Sequence, residues 1–137
     1  MKYGEVIIEK KEYELLRQLL ISANQNKDKT YKASIEKLAD ELKRAKIVSN
    51  AAITEDIVRF NSIVTIQTPY SEAKSYQLVA PEKSDISQNK LSVLAPMGLA
   101  LFGYAVGDDV LWQFPSGMNS IKILKVEQPG NLLNTNE

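Results

Sequence analysis

At 137 residues the chain is sized for one domain, or for a small domain with an appendage, and with 44% hydrophobic and 25% charged residues it can bury a core. It has neither cysteine nor histidine, which excludes disulfides, Cys/His zinc sites, thiol nucleophiles, Ser-His-Asp triads and imidazole pH switching. Basic and acidic residues balance at 17 each, split as 11 against 8 over residues 1–50 (+3) and 6 against 9 over 51–137 (−3), so the basic footprint of a nucleic-acid binder is missing and a protein partner fits better.

The N-terminus MKYGEVIIEKKEYE is interrupted by Glu5, Glu9, Lys10 and Lys11, unlike a signal peptide. No run reaches the roughly 18 apolar residues of a membrane span. These features set the expectation of a cytoplasmic protein with no membrane partner.

Tyr13, Leu16 and Leu20, with Leu15 and Leu19 beside them, repeat at helical spacing. A second stripe, Ile35, Leu38, Ala39, Leu42 and Ala45, has Lys37, Asp40, Glu41, Lys43 and Arg44 on its other faces. The polar loop Asn24 to Thr30 joins the two, and Thr30 or Ser34 could cap the second helix. The expectation is an antiparallel hairpin about 20 Å long. Lys27, Asp28 and Lys29 stand at its tip, where one acid between two lysines also reads as a plain solvated loop.

After Lys46 the period changes. In IVRFNSIVTIQ, Val58, Phe60, Val64 and Ile66 share one parity, and Arg59, Asn61, Thr65 and Gln67 take the other, which predicts one half-buried strand. TPYSEAKS reads as a turn around Pro69, SYQLVAP as a strand with Tyr76 and Leu78 facing in, PEKSDISQNK as a loop and KLSV as a short extended piece. Pro96 suits the first position of a helix running to Phe102 and closed by Gly103. DVLWQF is a strand, FPSGMNS a hairpin turn, SIKILKV the last strand and residues 130–137 a flexible tail. The fold class is therefore α+β: a short N-terminal antiparallel helical hairpin (1–48), then an antiparallel sheet domain with one short helix (49–129).

Four features could carry function. Gly107-Asp108-Asp109 could hold a metal, but no other acidic cluster accompanies it, and a glycine turn leading into the strand Val110–Phe114 accounts for it. Trp112, Phe114, Phe60 and Tyr76 could line a pocket or simply be core. The apolar run Leu91 to Phe102 is mostly core, with Pro96 and Met97 best placed for surface contact. The fourth feature is the hairpin tip.

KLSVLAPMGLALFGYAVGDDVLWQFPSG…IKILKVEQP resembles the C-terminal domain of the Gre transcript-cleavage factors. The matching residues are Ser92, Pro96, Gly103, Val106, Gly107, Asp108, Pro115, Gly117 and Leu124 to Val126. Upstream, Glu41, Leu42, Arg44 and Ala45, then Val58, Asn61 and Ser62, make the chain similar to the short Rnk branch of the GreA/GreB transcription elongation factor family. The resemblance covers about residues 38–129. It implies an FKBP-like C-terminal domain that docks on bacterial RNA polymerase near the rim of the secondary channel, and a polymerase-contacting turn at Ala95-Pro96, flanked by Ser92 and Met97. Leu94 stands where one Gre type has an acid. Gre factors carry a long coiled coil whose acidic tip helps hold a second magnesium; here the hairpin is far shorter and its tip has Asp28 alone. The implied role is a non-enzymatic regulator of transcription, without a cofactor, without transcript cleavage and without direct sequence-specific contact to nucleic acid. The rival reading is a prolyl isomerase or peptide-binding chaperone.

Overall fold

The computed structural model describes residues 2–23, 36, 39–114 and 117–129. A short strand, β1 (Ile7–Glu9), leads directly into α1 (Lys10–Ala23). Glu9 closes the first turn of that helix: its Oε1 accepts the backbone N–H groups of Lys11 and Glu12 at 3.1 and 3.0 Å, the task usually given to Ser, Thr or Asp. Leu16 and Leu20 form the buried face of α1. Residues 39–44 are the described part of a second helix, α2, which buries Leu42. It runs into β2 (Lys46–Val48), parallel to β1 with Ile8 opposite Ile47. The periodicity of this third of the chain predicts helices alone. The two strands escape it because three residues are too few to show a period of two.

Five strands make the main sheet: β3 (Ile63–Thr68), β4 (Ser71–Val79), β5 (Lys90–Ser92), β6 (Asp109–Phe114) and β7 (Gly117–Glu127), in the order β5-β4-β3-β7-β6. The sheet is mixed rather than wholly antiparallel, because β5 lies parallel to β4. Two 3-10 turns, Pro81–Lys83 and Ile86–Gln88, carry the chain back along β4. Asp85 caps the second through Ser87, and Asn89 reverses the chain in a left-handed conformation with φ 58°. The helix α3 (Pro96–Leu101) follows β5 and stops at Phe102, with Gly103 beyond it at φ +84°.

The expected single strand over 57–67 is cut short. Asn61 has φ 68°, so β3 starts only at Ile63, and residues 57–62 form a bend. Ser62 is buried inside it; its Oγ accepts the Arg59 N–H at 2.7 Å and donates to Gln128 Oε1 at 2.8 Å. The bend also overturns the expected outward position of Arg59. Its side chain turns inward, 6% exposed, and its Nε donates to Glu12 on α1 at 2.9 Å while Nη2 donates to Asn50 at 2.9 Å. Burial pushes the Glu12 carboxyl above its usual range, and Arg59 offsets this only in part. Likewise, residues 71–75 belong to β4 rather than to a turn, because Thr68 pairs with Ser71 and only Pro69 and Tyr70 lie between the strands.

One buried cluster joins these parts. Leu99, Leu101 and Phe102 pack on the sheet residues Val64, Ile66, Leu78, Val110, Ile121 and Ile123, together with Leu16, Leu20 and Leu42 from the helices. Phe102 meets Phe60 edge to face at 5.2 Å. Gly103 is the tightest point. A Cβ there would stand 2.2 Å from Val6 Cγ1, and the Gly103 carbonyl accepts the Ile7 N–H at 3.2 Å.

Gly103→Ala is expected to lower unfolding stability by roughly 2–4 kcal/mol, from left-handed backbone strain plus the clash with Val6. Gly107 has φ +92° but nothing within 4 Å of a Cβ. Gly107→Ala should therefore cost only the strain, about 1–2 kcal/mol. Urea midpoints at constant m-value measure both, and equal losses at the two positions would refute the close packing on Val6.

Candidate functional site

The turn from Ser92 to Met97 is built from its own backbone. Val93, fully buried, donates its N–H to the Val79 carbonyl at 2.9 Å and ties the turn to β4. Ser92 then folds the chain over: its Oγ accepts the Leu94 N–H at 3.0 Å and its carbonyl accepts the Ala95 N–H at 3.0 Å. Ala95, extended at φ −63° and ψ 148°, precedes α3, and its carbonyl accepts the Leu99 N–H at 2.9 Å. Pro96 takes the first helical position, where its missing N–H leaves nothing unpaired. A Cβ on Gly98 would come within 2.3 Å of the Ser92 carbonyl oxygen, so α3 and the turn are in direct backbone contact.

Ser92, Ala95, Pro96 and Met97 thus lie along one hydrogen-bonded backbone turn. Leu94 and Met97 are half-buried, each packed against the core with its remaining surface outward. No charged residue occurs from Leu91 to Gly107. The sequence of the turn therefore offers apolar and backbone groups rather than charges. Lys27, Asp28 and Lys29 lie outside the described residues.

Asp108 has a different task from metal binding. Its carboxylate accepts the backbone N–H groups of Lys2 and of Ala105, the latter at 2.8 Å, and the side chain is buried. Its own carbonyl accepts the Ile123 N–H at 3.0 Å, which aligns β6 against β7. Among the described residues, no three acidic, histidine or cysteine side chains are grouped to hold a metal ion. Of the four aromatic candidates, the Phe114 side chain lies outside the described residues. Phe60 is core against Phe102, while Tyr76 on β4 and Trp112 on β6 are separated by β3 and β7, about 14 Å at ordinary strand spacing.

A second polar group lies beside Asp108. Asp56 accepts Lys2 Nζ at 2.5 Å, the Tyr3 hydroxyl at 2.7 Å and the Thr54 hydroxyl at 2.5 Å. Burial alone would raise the Asp56 carboxyl, but these donors outweigh it and hold it down at about 2. Together Asp56 and Asp108 clamp residues 2 and 3 to the sheet domain. Lys2 and Tyr3 are remote from both aspartates in sequence, so no local spacing signals the clamp. Tyr104 adds a further link by donating its hydroxyl to Glu41 of α2; burial and this carboxylate push the phenol above its usual range.

The family described as "Transcription elongation factor, GreA/GreB, C-term" matches residues 53–128, a span that contains the turn. Regulator of nucleoside diphosphate kinase from Escherichia coli (strain K12) is 37% identical over 89 residues, 64% of this chain and 65% of that protein. Transcription elongation factor GreA from Syntrophus aciditrophicus (strain SB) is 28% identical over 106 residues, 77% of this chain and 66% of the relative. The matched stretch thus spans just under two thirds of these relatives. A solved structure, a prokaryotic transcription elongation factor GreA/GreB from Nitrosomonas europaea, aligns with a TM-score of 0.73 at 33% identity, covering 90% of this chain and 100% of that one.

The Asp56 cluster gives a pH prediction. A depressed carboxyl stabilises the fold above its ordinary value of 3.8 and loses that contribution as pH falls toward about 2. Asp56→Asn should cost about 1 kcal/mol at neutral pH and flatten this acid limb. Urea unfolding repeated across that pH range tests it; an unchanged acid limb in the variant would assign the limb to other groups.

Proposed function

Because the chain belongs to the GreA/GreB transcription elongation factor family, we propose that it regulates transcription in the cytoplasm by binding bacterial RNA polymerase near the secondary channel, without stimulating transcript cleavage. The observation that carries this reading is the family match over residues 53–128. In this reading residues 49–129 are the FKBP-like docking domain, with Ser92, Ala95, Pro96 and Met97 as the polymerase-contacting corner. Residues 1–48 are the short helical hairpin, which also carries the strands β1 and β2, and 130–137 are a tail.

The uncharged character of the corner supports contact with protein rather than with nucleic acid. The absence of cleavage stimulation follows from the tip sequence. Asp28 is a single carboxylate between Lys27 and Lys29, whose positive charges compete for it, and a cation such as magnesium calls for converging oxygen ligands. The protein acts by occupancy, and needs no cofactor of its own. The isomerase reading is disfavoured because the matching family is one of transcription elongation factors.

Purified RNA polymerase core should retain the wild-type protein in a pull-down, and Pro96→Glu should weaken retention at least tenfold (about 1.4 kcal/mol) while leaving circular dichroism and melting unchanged. Failure of the wild type to bind would refute the reading. Added to stalled elongation complexes, the protein should not accelerate cleavage, and Asp28→Ala should behave like wild type. Cleavage that is accelerated by the wild type and abolished by Asp28→Ala would restore the catalytic-tip role.

A further inference from the structure

The last strand of the sheet on one side, β6, has β7 as its only neighbour among the described residues. Natural edge strands are guarded by lysine, proline, bulges or brevity. The opposite edge, β5, is guarded in this way, being three residues long with Lys90 at its start. Within its own span β6 has none of these devices; a bulge at Gly107-Asp108, where both residues bond Ile123, precedes it and Pro115 follows it. It is six residues long, DVLWQF, and pairs with β7 in unbroken register from Asp109↔Lys122 to Phe114↔Gly117. Leu111, 61% exposed, and Met118, 59% exposed, stand diagonally on the outer face at this edge. Trp112, on the other face, is half-buried.

The phase of the β6–β7 ladder settles which backbone groups are left over. The Ile123 N–H donates to the Asp108 carbonyl, so Val110 and Trp112, in phase with that carbonyl, turn their N–H and C=O toward β7. Asp109, Leu111 and Gln113 turn theirs away from the sheet. A second copy approaching antiparallel must match these residues with its own. Leu111 opposite Leu111 is the register that suits the side chains. Asp109 then faces Gln113 of the second copy, and Val110 faces Trp112, twice over by symmetry. Shifting one way puts Asp109 against Asp109 or against Leu111. Shifting the other way puts Pro115, which has no N–H, into the ladder.

We propose that two copies of this chain associate through β6, antiparallel and centred on Leu111, to form a continuous ten-stranded sheet. The self-complementary sequence of the edge selects a second copy over an unrelated strand. The interface is small, so the dimer is a concentration-dependent one. This proposal is independent of polymerase binding.

The absence of cysteine makes the test direct. Leu111→Cys places two thiols on facing residues about 5.5 Å apart at Cα, within disulfide range, and should cross-link under mild oxidant. Ser120→Cys, beside Leu111 but one strand inward, should not. Sedimentation up to about 1 mM, where even a millimolar Kd is visible, should show a dimer. Leu111→Lys sets two like charges against each other and should abolish the dimer at every concentration, while Leu124→Lys, on a strand interior to the sheet, should leave it intact. Because Leu111 and Leu124 are both solvent-exposed, both variants should keep the wild-type melting temperature. A protein that stays monomeric throughout overturns the proposal. So does a dimer insensitive to Leu111→Lys, or one in which Leu111→Cys fails to cross-link.

Discussion

The structure depends on one close approach, that of the first strand to the segment just after α3. Gly103 has no side chain, and only for that reason can Val6 lie against it and the Ile7 N–H reach its carbonyl. The same few residues hold the bend before β3: Gly103 N–H donates to the Val58 carbonyl at 3.0 Å, and Val58 N–H to the Tyr104 carbonyl at 2.8 Å. Val106 N–H then donates to the Asp56 carbonyl at 3.0 Å, and Gly107 N–H to that of Ile123 at 2.8 Å. The chain start, the bend and the last strand therefore converge on residues 103–108. Any side chain at Gly103 would push the first strand outward, and the clamps made by Asp56 and Asp108 would have to open with it.

That convergence binds the helices to the sheet through polar as well as apolar contacts. Arg59 and Glu12 are the most consequential pair, with side chains 7% and 12% exposed. Both charges are out of water, so the pair adds little net stability but makes loss of either partner costly, on the order of 3–5 kcal/mol. Its effect is on geometry. Together with Tyr104 and Glu41 it defines where α1 and α2 stand relative to the sheet, which apolar packing alone would leave free to slide.

What was legible in the sequence follows the length of each signal. Leu16, Leu20 and Leu42 repeat at helical spacing and are buried; Pro96 and Gly103 bracket α3 where the chemistry of caps puts them. The strand parity of Val58, Phe60, Val64 and Ile66 correctly named four core residues and still hid the bend, because Asn61 turns the chain without changing which of them face inward. β5 was recognisable as extended, but its direction depended on how many turns the loop before it makes, and the cap by Asp85 and the reversal at Asn89 decide that. The corner at Ser92 was readable because its hydrogen bonds are local. The clamps on Lys2 and Tyr3 were not, since Asp56 and Asp108 are brought there only by the completed fold.

The two surfaces belong to different ends of the strand order. The Ser92–Met97 corner follows β5, at one end of the order β5-β4-β3-β7-β6, while Leu111 is on β6 at the other. Four strand spacings separate the edges, about 19 Å. Pairing through β6 would use the backbone of residues 109, 111 and 113, to which the corner contributes none. Binding at one corner would not compete with association, and the two equilibria would be linked only through the concentration of the chain. A partner that contacted both the corner and the outer face near Leu111 would instead draw the protein toward monomer. The sign of that linkage separates a partner confined to the β5 side of the domain from one that wraps across the sheet.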